Sequence, residues 1–457
     1  MKKILAAISA VTLAAAAATA VNPIVQTCYT TDPAPMVCGD TLYVYTGHDE
    51  NGADFFWMQE WRVYSTTDMV NWTDHGSPLA IEDFSWGDDR AWAPQCIGRN
   101  GKFYLYVPLH SKLTNAMAIG VAVSDSPTGP FRDAIGKPLA DGSWDYIDPT
   151  VFIDDDGQAY LFWGNPKLYY VKLNPDMVSF DGEVQTVEFT TEGFGAPRVV
   201  PDEGNRKIPS SYTEGPWFYK RGGKYYMVYA ANGIPESIAY SMSDGPTGPW
   251  TYKGVIMPQS NETNSFTNHS GIVEFKGQPY FFYHTGNLPG GGGFARSIAV
   301  EEFKYNPDGT IPTILPTREG VKPLGYFSPL GRHEAETMAW SKGVTTRQAD
   351  DTGVYVSDIH NGDYLMLKNV NFGSGHPKTF GASVASGRRG GRIEVRTDSL
   401  TGPVIAVLDV PATGGWEKWR YLETAAKAEV PGVHDIYFLF TGRKGPELFN
   451  FDYWTFK

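Results

Sequence analysis

Three acidic residues, Asp32, Asp148 and Glu214, stand one or two positions before a proline, at the starts of predicted strands. Because proline restricts the residue before it to extended geometry, we expect the local backbone to fix where each carboxylate points. Carboxylates that share a cleft have their proton affinities pushed apart, so one can stay protonated while another is ionised. Such a pair could hydrolyse a glycosidic bond, with an acid protonating the leaving oxygen and a carboxylate activating water or attacking directly.

The elements that must position these acids are repeated strands. Five segments of the first 310 residues share one plan, a turn with glycine followed by an aromatic-rich strand and then a strand of small residues. The turns and aromatic strands span residues 39–45, 101–106, 157–162, 223–229 and 277–283. Self-similarity every roughly 50 to 65 residues without helical periodicity predicts a five-bladed β-propeller, with a pair of β-sandwiches as the alternative.

A propeller would explain how the three acids meet. The first strand of every blade lines the central axis, so residues far apart in sequence converge at one end of it. Asp32, Asp148 and Glu214 each open or precede a different repeat, although a single Asp-Pro pair is more often only a turn. The sequence therefore predicts one site assembled from several blades.

The composition sets the fold class and the partners. The chain has 457 residues, of which 14% are aromatic, with 50 Gly and 32 Pro, a mixture typical of an all-β fold with tight turns. A net charge of −13 argues against nucleic acid as the main partner. From residue 332 onward acidic and basic residues are equal in number, and alternating runs predict a second, β-sandwich domain. We expect the propeller over 21–310, a linker with propeller closure over 311–331, and the sandwich over 332–457.

The N-terminus predicts export. Residues 1–20 contain two lysines, an apolar run and an Ala-Thr-Ala end, which is the pattern of a secretory signal cleaved after Ala20. The product would be secreted or periplasmic and free of the membrane; an N-terminal membrane anchor is the alternative. A bridge between Cys28 and Cys38 is permitted there, but the spacing of these residues and Cys96 does not choose between disulfide, metal site and nucleophile.

Four motifs resemble the landmarks of glycoside hydrolase family 43, at residues 31–35, 146–154, 212–217 and 268–271. The resemblance implies a five-bladed propeller that inverts the anomeric centre. It assigns Asp32 as the general base, Asp148 as the residue that orients the acid and raises its pKa, and Glu214 as the general acid.

The same resemblance implies three further site residues. Trp92 would stack near the sugar, and Arg296 would bind substrate hydroxyls, although a strand tryptophan is usually core and a lone arginine is usually at a solvated edge. His269 would lie on the propeller axis beside a calcium ion, which would need mostly water and carbonyl oxygens as its other ligands.

The second domain resembles a family 6 carbohydrate-binding module, a β-sandwich of the jelly-roll type. The motifs that carry the resemblance lie at 334–336, 360–364, 384–387, 413–416, 433–437 and 448–454. Glu334, Glu336 and Asp452 would hold a structural calcium ion. Tyr355 and Trp416 would form the aromatic walls of a sugar cleft, with Asn450 at its floor; Trp419 could exchange roles with Trp416. No organic cofactor is expected.

Together the two resemblances predict a hydrolase of plant cell-wall polysaccharide. A module that often binds xylan favours release of α-L-arabinofuranosyl branches from arabinoxylan, and tethering would raise the local polymer concentration. A β-xylosidase is the second expectation, and a non-catalytic glycan-binding surface protein is the alternative of another class. A fructan-cleaving propeller is disfavoured because its expected motifs are absent from the sequence.

Overall fold

A computed structural model of the chain describes residues 21–200, 206–374, 377–427 and 429–457. The predicted signal segment, residues 1–20, lies outside these described residues. The structure is built almost entirely of strands, with one short α-helix, α1 (Thr191–Phe194), and 3₁₀ turns at Ile81–Asp83 and Asn261–Thr263. Among the described residues, no helix is long and apolar enough to cross a membrane.

The N-terminal part of the chain forms a series of antiparallel sheets. The first sheet contains β1 (Thr30–Cys38), β2 (Thr41–His48), β3 (Glu60–Thr66), β4 (Trp72–Asp74) and β5 (Leu79–Ala80). The second contains β6 (Gly87–Asp89), β7 (Gln95–Arg99), β8 (Lys102–Ser111), β9 (Ala116–Ser124), β10 (Arg132–Asp133) and β11 (Ala140–Asp141). The third contains β12 (Thr150–Ile153), β13 (Ala159–Trp163), β14 (Tyr169–Leu173) and β15 (Phe180–Thr186).

Three more sheets complete this part of the chain. A small two-stranded sheet contains β16 (Arg198–Val200) and β17 (Arg206–Ile208). The next contains β18 (Tyr212–Arg221), β19 (Lys224–Ala231), β20 (Ser237–Ser243) and β21 (Thr251–Met257). The last contains β22 (Gly271–Phe275), β23 (Gln278–Thr285) and β24 (Ser297–Glu302).

The five predicted aromatic strands are confirmed; four of them are the second strand of a sheet in chain order, and β8 is the third strand of its sheet. They are β2, β8, β13, β19 and β23. Most of their aromatic side chains are buried because both faces of these strands pack against neighbouring sheets, as Tyr106, Phe162 and Phe282 show at 0% exposure. The strands that precede them, β1, β12 and β18, carry or follow the three acids.

The hydrophobic core lies between successive sheets. Tyr106 and Val121 of the second sheet pack with Leu161 of the third, and Val44 of the first sheet packs with Phe282 of the last. The indole N–H of Trp217 in β18 donates to the carbonyl oxygen of Ile272 in β22 at 2.9 Å. This packing, with the last sheet against the first, is consistent with a β-propeller.

The C-terminal part is a β-sandwich with its own core. One sheet contains β25 (Gly331–Glu334), β28 (Thr345–Ala349), β29 (Gly353–Ser357), β31 (Thr379–Ser386), β34 (Gly415–Ala425) and β36 (Asn450–Phe456). The other contains β27 (Trp340–Lys342), β30 (Tyr364–Asn371), β32 (Gly391–Thr397), β33 (Val404–Val410) and β35 (Val433–Thr441). The remaining strand, β26 (Thr337–Met338), belongs to neither sheet.

β26 instead joins the two parts of the chain. It pairs antiparallel with β4, so the sandwich adds an outer strand to the first propeller sheet. Nearby, Asn71 donates to the carbonyl oxygen of Lys368 and accepts from its N–H, both at 2.9 Å. Thr346 donates from Oγ1 to Asp74 at 2.7 Å. The sandwich is therefore docked on the propeller through main-chain and side-chain hydrogen bonds.

The first described residues are held inside the fold. Val21 and Asn22 are buried, and both of their N–H groups donate to the carbonyl oxygen of Arg318. Asn22 also donates to the carbonyl oxygen of Val300 and accepts from its N–H at 3.0 Å. The expected closure segment, 311–331, thus covers the N-terminal residues against β24.

The three cysteines are free thiols. Cys28 is half-buried, with Sγ 3.3 Å from Tyr64 Oη, and Cys38 is exposed. Cys96 is buried, and burial raises the pKa of its thiol to about 12. In this structure the chain therefore does not contain the permitted Cys28–Cys38 bridge.

Candidate active site

One pocket collects the predicted acids. Asp32, Asp148 and Glu214 all line a cavity of about 230 Å³ at one end of the propeller, and each contributes from a different sheet. Trp92, His269 and Arg296, the other three propeller residues predicted from the sequence, line the same cavity. The three acids are 66 to 182 positions apart, and they converge because strands of separate sheets begin at the same mouth.

The backbone at the acids differs from the sequence expectation. Asp32 has φ 52°, Asp148 has φ 57° and Gly215 has φ 59°, so each residue directly before proline is left-handed rather than extended. The expectation of extended geometry was wrong: the pairing registers of β1 and β18 shift around Asp32 and Gly215, and Asp148 lies just before β12 begins. A left-handed non-glycine residue before proline is strained, and such strain is concentrated at functional sites.

The three turns aim the acids and leave little room for change. Gly215, directly after Glu214, would place an added Cβ 3.0 Å from Nδ1 of His269, so only glycine fits both the conformation and the space. Its N–H donates to Oδ2 of Asp148 at 2.9 Å. Asp148 thereby holds the turn that carries Glu214.

Asp32 lies in a cationic and hydrogen-bonding environment. Its Oδ1 accepts from Thr31 Oγ1 at 2.9 Å and lies 3.4 Å from Nη1 of Arg296 and 3.3 Å from Nδ1 of His284. Burial alone would raise the pKa of the Asp32 carboxyl, but Arg296 and His284 outweigh it and hold that pKa well below its usual range. Asp32 is therefore ionised at neutral pH and can accept a proton.

Glu214 has the opposite electrostatics. Burial raises the pKa of Glu214 to about 7, and the negative charge of Asp32 acts in the same direction. A hydrogen bond from Asn165 Nδ2 to Oε2 of Glu214 opposes this shift. Burial and the adjacent Glu214 also raise the pKa of Asp148. At a pKa of about 7, a substantial fraction of Glu214 keeps its proton at neutral pH, which a general acid requires.

Arg296 is held by a residue that the sequence analysis missed. Asp49 accepts from Nε and Nη2 of Arg296 at 2.9 Å each, and from the Arg296 N–H at 2.9 Å. Both side chains are buried, and the guanidinium also lies 4.9 Å from the ring centroid of Phe56. This fork fixes the guanidinium plane so that Nη1 remains directed at Asp32.

Trp92 forms part of an aromatic wall. Its indole N–H donates to the carbonyl oxygen of Phe56 at 2.8 Å, and its ring meets that of Phe56 edge-on with centroids 6.3 Å apart. Phe55 lines the cavity beside them. The wall offers the flat apolar surface on which the C–H face of a sugar can pack.

His269 lies 3.9 Å, measured from Nδ1, from Oδ1 of Asp32, and burial lowers its pKa to about 4. The expected axial calcium finds compatible groups close by. Glu236 accepts from the N–H of Asn268 at 2.8 Å, while Glu236 Oε1 and Asn268 Oδ1 are buried without hydrogen-bond partners. Orphaned oxygens of this kind suit an oxygen-preferring cation. No group of three or more His, Cys, Asp or Glu side chains in the described residues is arranged to hold a metal.

The predicted sugar-binding side chains of the sandwich differ in how exposed they are. Trp416 and Trp419 are half-buried and line a shallow groove. Tyr355 is 5% exposed and meets Trp419 edge-on with centroids 5.2 Å apart, so its ring offers little surface to a sugar. Asn450 donates from Nδ2 to the carbonyl oxygen of Trp416 at 2.7 Å, and its buried Oδ1 has no partner. The paired tryptophans are thus the accessible aromatic surface of this groove.

The predicted calcium ligands of the sandwich differ in whether their carboxylate oxygens already have a partner. Glu336 Oε2 and Asp452 Oδ1 are buried atoms without hydrogen-bond partners, which fits a cation site. Glu334 instead pairs with Arg332, from Nε and Nη2 at 3.0 Å each. Two of the three residues therefore fit the expected ion, and the third would have to leave its arginine.

Sequence reasoning missed the polar residues that follow the second strands. Asp49 directly follows β2, Asn165 comes two residues after β13, and His284 is near the end of β23. A polar residue at the end of an aromatic strand is the signal that could have found them. Each first strand begins at the pocket mouth, and the antiparallel second strand runs back and ends there.

Comparisons with known proteins agree with this geometry. Residues 20–311 match Glycosyl hydrolases family 43, and residues 334–457 match Carbohydrate binding module (family 6). The chain is 34% identical to the arabinoxylan arabinofuranohydrolase of Bacillus subtilis (strain 168), over 95% of this chain and 92% of that protein. It is also 34% identical to a xylosidase/arabinosidase of Bacteroides ovatus, over 63% of this chain and 95% of that protein.

The fold agrees as well. A crystal structure of a glycoside hydrolase family 43 arabinoxylan arabinofuranohydrolase from Bacillus subtilis, in complex with cellotetraose, aligns with a TM-score of 0.82 at 31% identity. The alignment covers 96% of this chain and 99% of that chain, so it includes both parts of the molecule. The chain therefore belongs to family 43 of the glycosyl hydrolases, is a glycosidase, and carries a family 6 carbohydrate-binding module.

Proposed function

We propose that the protein is a secreted, inverting α-L-arabinofuranosidase that removes arabinofuranosyl branches from arabinoxylan. The observation that carries the proposal is the opposite charge state of Asp32 and Glu214 in one small pocket. An ionised base and a protonated acid on two sides of a sugar are what single-step hydrolysis with inversion needs. The likeness of the whole chain to an arabinoxylan arabinofuranohydrolase supports the substrate.

The reaction would proceed in one balanced step. Asp32 takes a proton from water as the water oxygen bonds to the anomeric carbon of the branch sugar. The bond from that carbon to the main-chain oxygen breaks, and Glu214 gives its proton to the leaving oxygen. Asp148 keeps Glu214 in place through the Gly215 N–H, and Arg296 keeps Asp32 ionised. One water is consumed, and the products are free arabinose and a main chain that carries a hydroxyl where the branch was attached.

The remaining expectations belong to the same proposal. Export would follow removal of residues 1–20, the five larger sheets would be the five blades, and the sandwich would be a jelly roll that holds polymer. Calcium bound by Glu336 and Asp452, and a second ion near His269, would supply structural charge balance, since buried carboxylate and amide oxygens there lack partners.

Product identification tests the proposal. The mature protein is incubated separately with wheat arabinoxylan and with xylobiose, and the sugars released are identified. Arabinose alone is expected from the polymer, and NMR of the first product should show the inverted anomer. Early retention of configuration would reject Asp32 as the base, and release of no sugar would favour a binding-only protein.

A β-xylosidase is the second candidate, favoured by the likeness of the propeller to xylosidase/arabinosidase relatives. Xylose released from xylobiose, without arabinose from the polymer, would select it. For the module, Trp416→Ala should weaken retention in xylan affinity electrophoresis without changing hydrolysis of aryl glycosides. Unchanged mobility would move the sugar site away from the Trp416 groove.

A further inference from the structure

The strand that joins the sandwich to the propeller begins directly after an expected calcium ligand. β25 ends at Glu334, and β26, which pairs with β4 of the propeller, begins at Thr337. Glu336 stands immediately before Thr337, so its carboxylate and the junction strand belong to one short segment. The Oγ1 atoms of Thr337 and Thr73 of β4 lie 2.8 Å apart. A contact that fixes Glu336 therefore also limits where β26 can lie.

The main chain of this segment is bound on both sides. On the sandwich side, the Ala335 N–H donates to the carbonyl oxygen of Asp452 at 2.8 Å. On the propeller side, the Asp74 N–H donates to the carbonyl oxygen of Glu336 at 3.3 Å. Glu336 and Asp74 also line one small cavity at the junction. Glu336 thus contacts the propeller through its own main chain.

The side chains of Glu336 and Asp452 are buried with oxygens that lack partners. Glu336 is 5% exposed and Asp452 is 6% exposed. Among the described residues, none donates a hydrogen bond to Oε2 of Glu336 or to Oδ1 of Asp452. A buried polar oxygen without a partner is costly, and calcium can supply that partner because it accepts oxygen ligands in flexible geometry. These oxygens belong to the two residues whose carbonyl groups hold the junction segment.

We propose that calcium bound at Glu336 and Asp452 stabilises the docking of the sandwich on the propeller. The coupling rests on the sandwich calcium site of the proposed function and goes beyond it. Moving β26 away from β4 would pull on Glu336, the residue next to it, and so disturb the ion site. An ion that binds only the docked arrangement stabilises that arrangement by mass action, and docking raises the affinity for the ion by the same factor.

Hydrogen exchange of the full chain, measured by mass spectrometry, tests this coupling. Protein stripped with a chelator is compared with protein in calcium chloride at equal ionic strength, and calorimetry supplies the dissociation constant. The reporter is the peptide that contains β4, because the Asp74 N–H donates to Glu336 across the junction. A peptide from β13, in the third propeller sheet, is the reference. When free calcium is 100 times the dissociation constant, exchange at β4 should slow about 100-fold, with no change at β13.

Two ligand variants and one control identify the ion site responsible. Glu336→Gln and Asp452→Asn each replace a charged ligand by an amide, so each should abolish the effect of calcium on β4. Two variants are used so that the result does not depend on the folding of either one. Glu183→Gln changes an exposed glutamate of β15 and should behave like the parent.

Calcium that binds without slowing exchange at β4 would overturn the coupling. Equal slowing at β13 would overturn it too, because it would show a general effect on the propeller. The same conclusion follows if calorimetry finds no binding that is lost in the ligand variants, or if slowing at β4 persists in them. The proposed function is decided separately, by release of arabinose from arabinoxylan, so its failure and the failure of the coupling are distinguishable.

Discussion

At the scale of single residues, the site is defined by two carboxyls whose protonation is set in opposite directions. The folded protein holds Glu214 with a pKa of about 7, above its ordinary value of 4.5. Between these values the folded state binds more protons than the unfolded chain, so the stability contributed at Glu214 falls as pH rises through this range. The raised pKa that keeps Glu214 protonated for catalysis therefore lowers the free energy of unfolding at higher pH.

Glu214→Gln should make this cost visible. The amide cannot ionise, so at pH 8 the variant should be more stable than the parent by about 1–3 kcal/mol, while turnover falls by several orders of magnitude. Thermal unfolding at pH 5 and pH 8, with an activity assay, measures both effects. Asp32→Asn is the matched control, because the lowered pKa of Asp32 contributes stability at neutral pH that the variant loses. Equal shifts of the two variants would contradict the assigned charge states.

The basic limit of activity should follow the proton on Glu214. Activity, as kcat/KM, should decline as pH rises above about 7, since the acid form is lost there. Asn165→Ala removes a hydrogen bond that lowers the pKa of Glu214, so the decline should move to higher pH. Asn174→Ala, in the turn after β14, should leave the profile in place. If the decline of activity in Asn165→Ala moved to lower pH instead, Glu214 could not be the group that sets the basic limit.

Asp49 should act as a positioning residue for Arg296. Asp49→Asn keeps the shape but loses the charged fork, and we expect kcat/KM on an aryl arabinofuranoside to fall roughly 10- to 100-fold. The acid limb of the pH profile should also move to higher pH. Arg296 holds the pKa of Asp32 down, and a less well positioned guanidinium would hold it down less. A variant that loses only thermal stability, with an unchanged acid limb, would show that Asp49 has no part in positioning.

At the scale of elements, the turns before proline shape the site more than the strands do. Gly215 and Gly222 have nearly the same φ, 59° and 57°, but an added Cβ meets His269 only at Gly215 and meets open space at Gly222. Both alanine variants should lose about 1 kcal/mol from the strained backbone. Gly215→Ala should lose more and should also reduce kcat, because Glu214 and His269 must shift. If both variants had similar stability and full activity, the turn at Gly215 would accept a side chain and would not restrict the position of Glu214.

The strands were more predictable than the turns between them. Alternating and aromatic patterns located β2, β8, β13, β19 and β23, because strand burial imposes them locally. The conformation of Asp32 could not be read the same way, since a register shift in the pairing of β1 with β2 overrides the local preference before proline. The contact of Asp49 with Arg296, 247 positions apart, leaves no local trace in the sequence.

At the scale of the whole molecule, the sandwich is fixed to the propeller rather than suspended from it. β26 extends the first sheet, and Asn71 exchanges two hydrogen bonds with the main chain of Lys368. The sequence predicted two domains and a linker, but the hydrogen bonds across the junction involve isolated side chains that carry no pattern. The groove of the module therefore has a set direction relative to the pocket.

Asn71→Ala should loosen this junction. The variant removes both hydrogen bonds between Asn71 and the Lys368 main chain, at a cost of about 1–3 kcal/mol, and each kcal/mol should lower the melting temperature by roughly 2–4 °C. Differential scanning calorimetry should show the shift, and small-angle scattering should show a broader particle. Asn51→Ala, at an exposed position, is the control. A variant that melts and scatters like the control would mean that the junction does not depend on Asn71.

The burial of Val21 and Asn22 has a practical consequence for a product cleaved after Ala20. Val21 and Asn22 lie beneath the segment that contains Arg318, so the amino end that follows the predicted cleavage point is enclosed by the protein. A purification tag fused there would have to thread out past that cover and would pull Asn22 away from Val300. Lys457 is exposed, so a tag attached after it would leave these buried contacts in place.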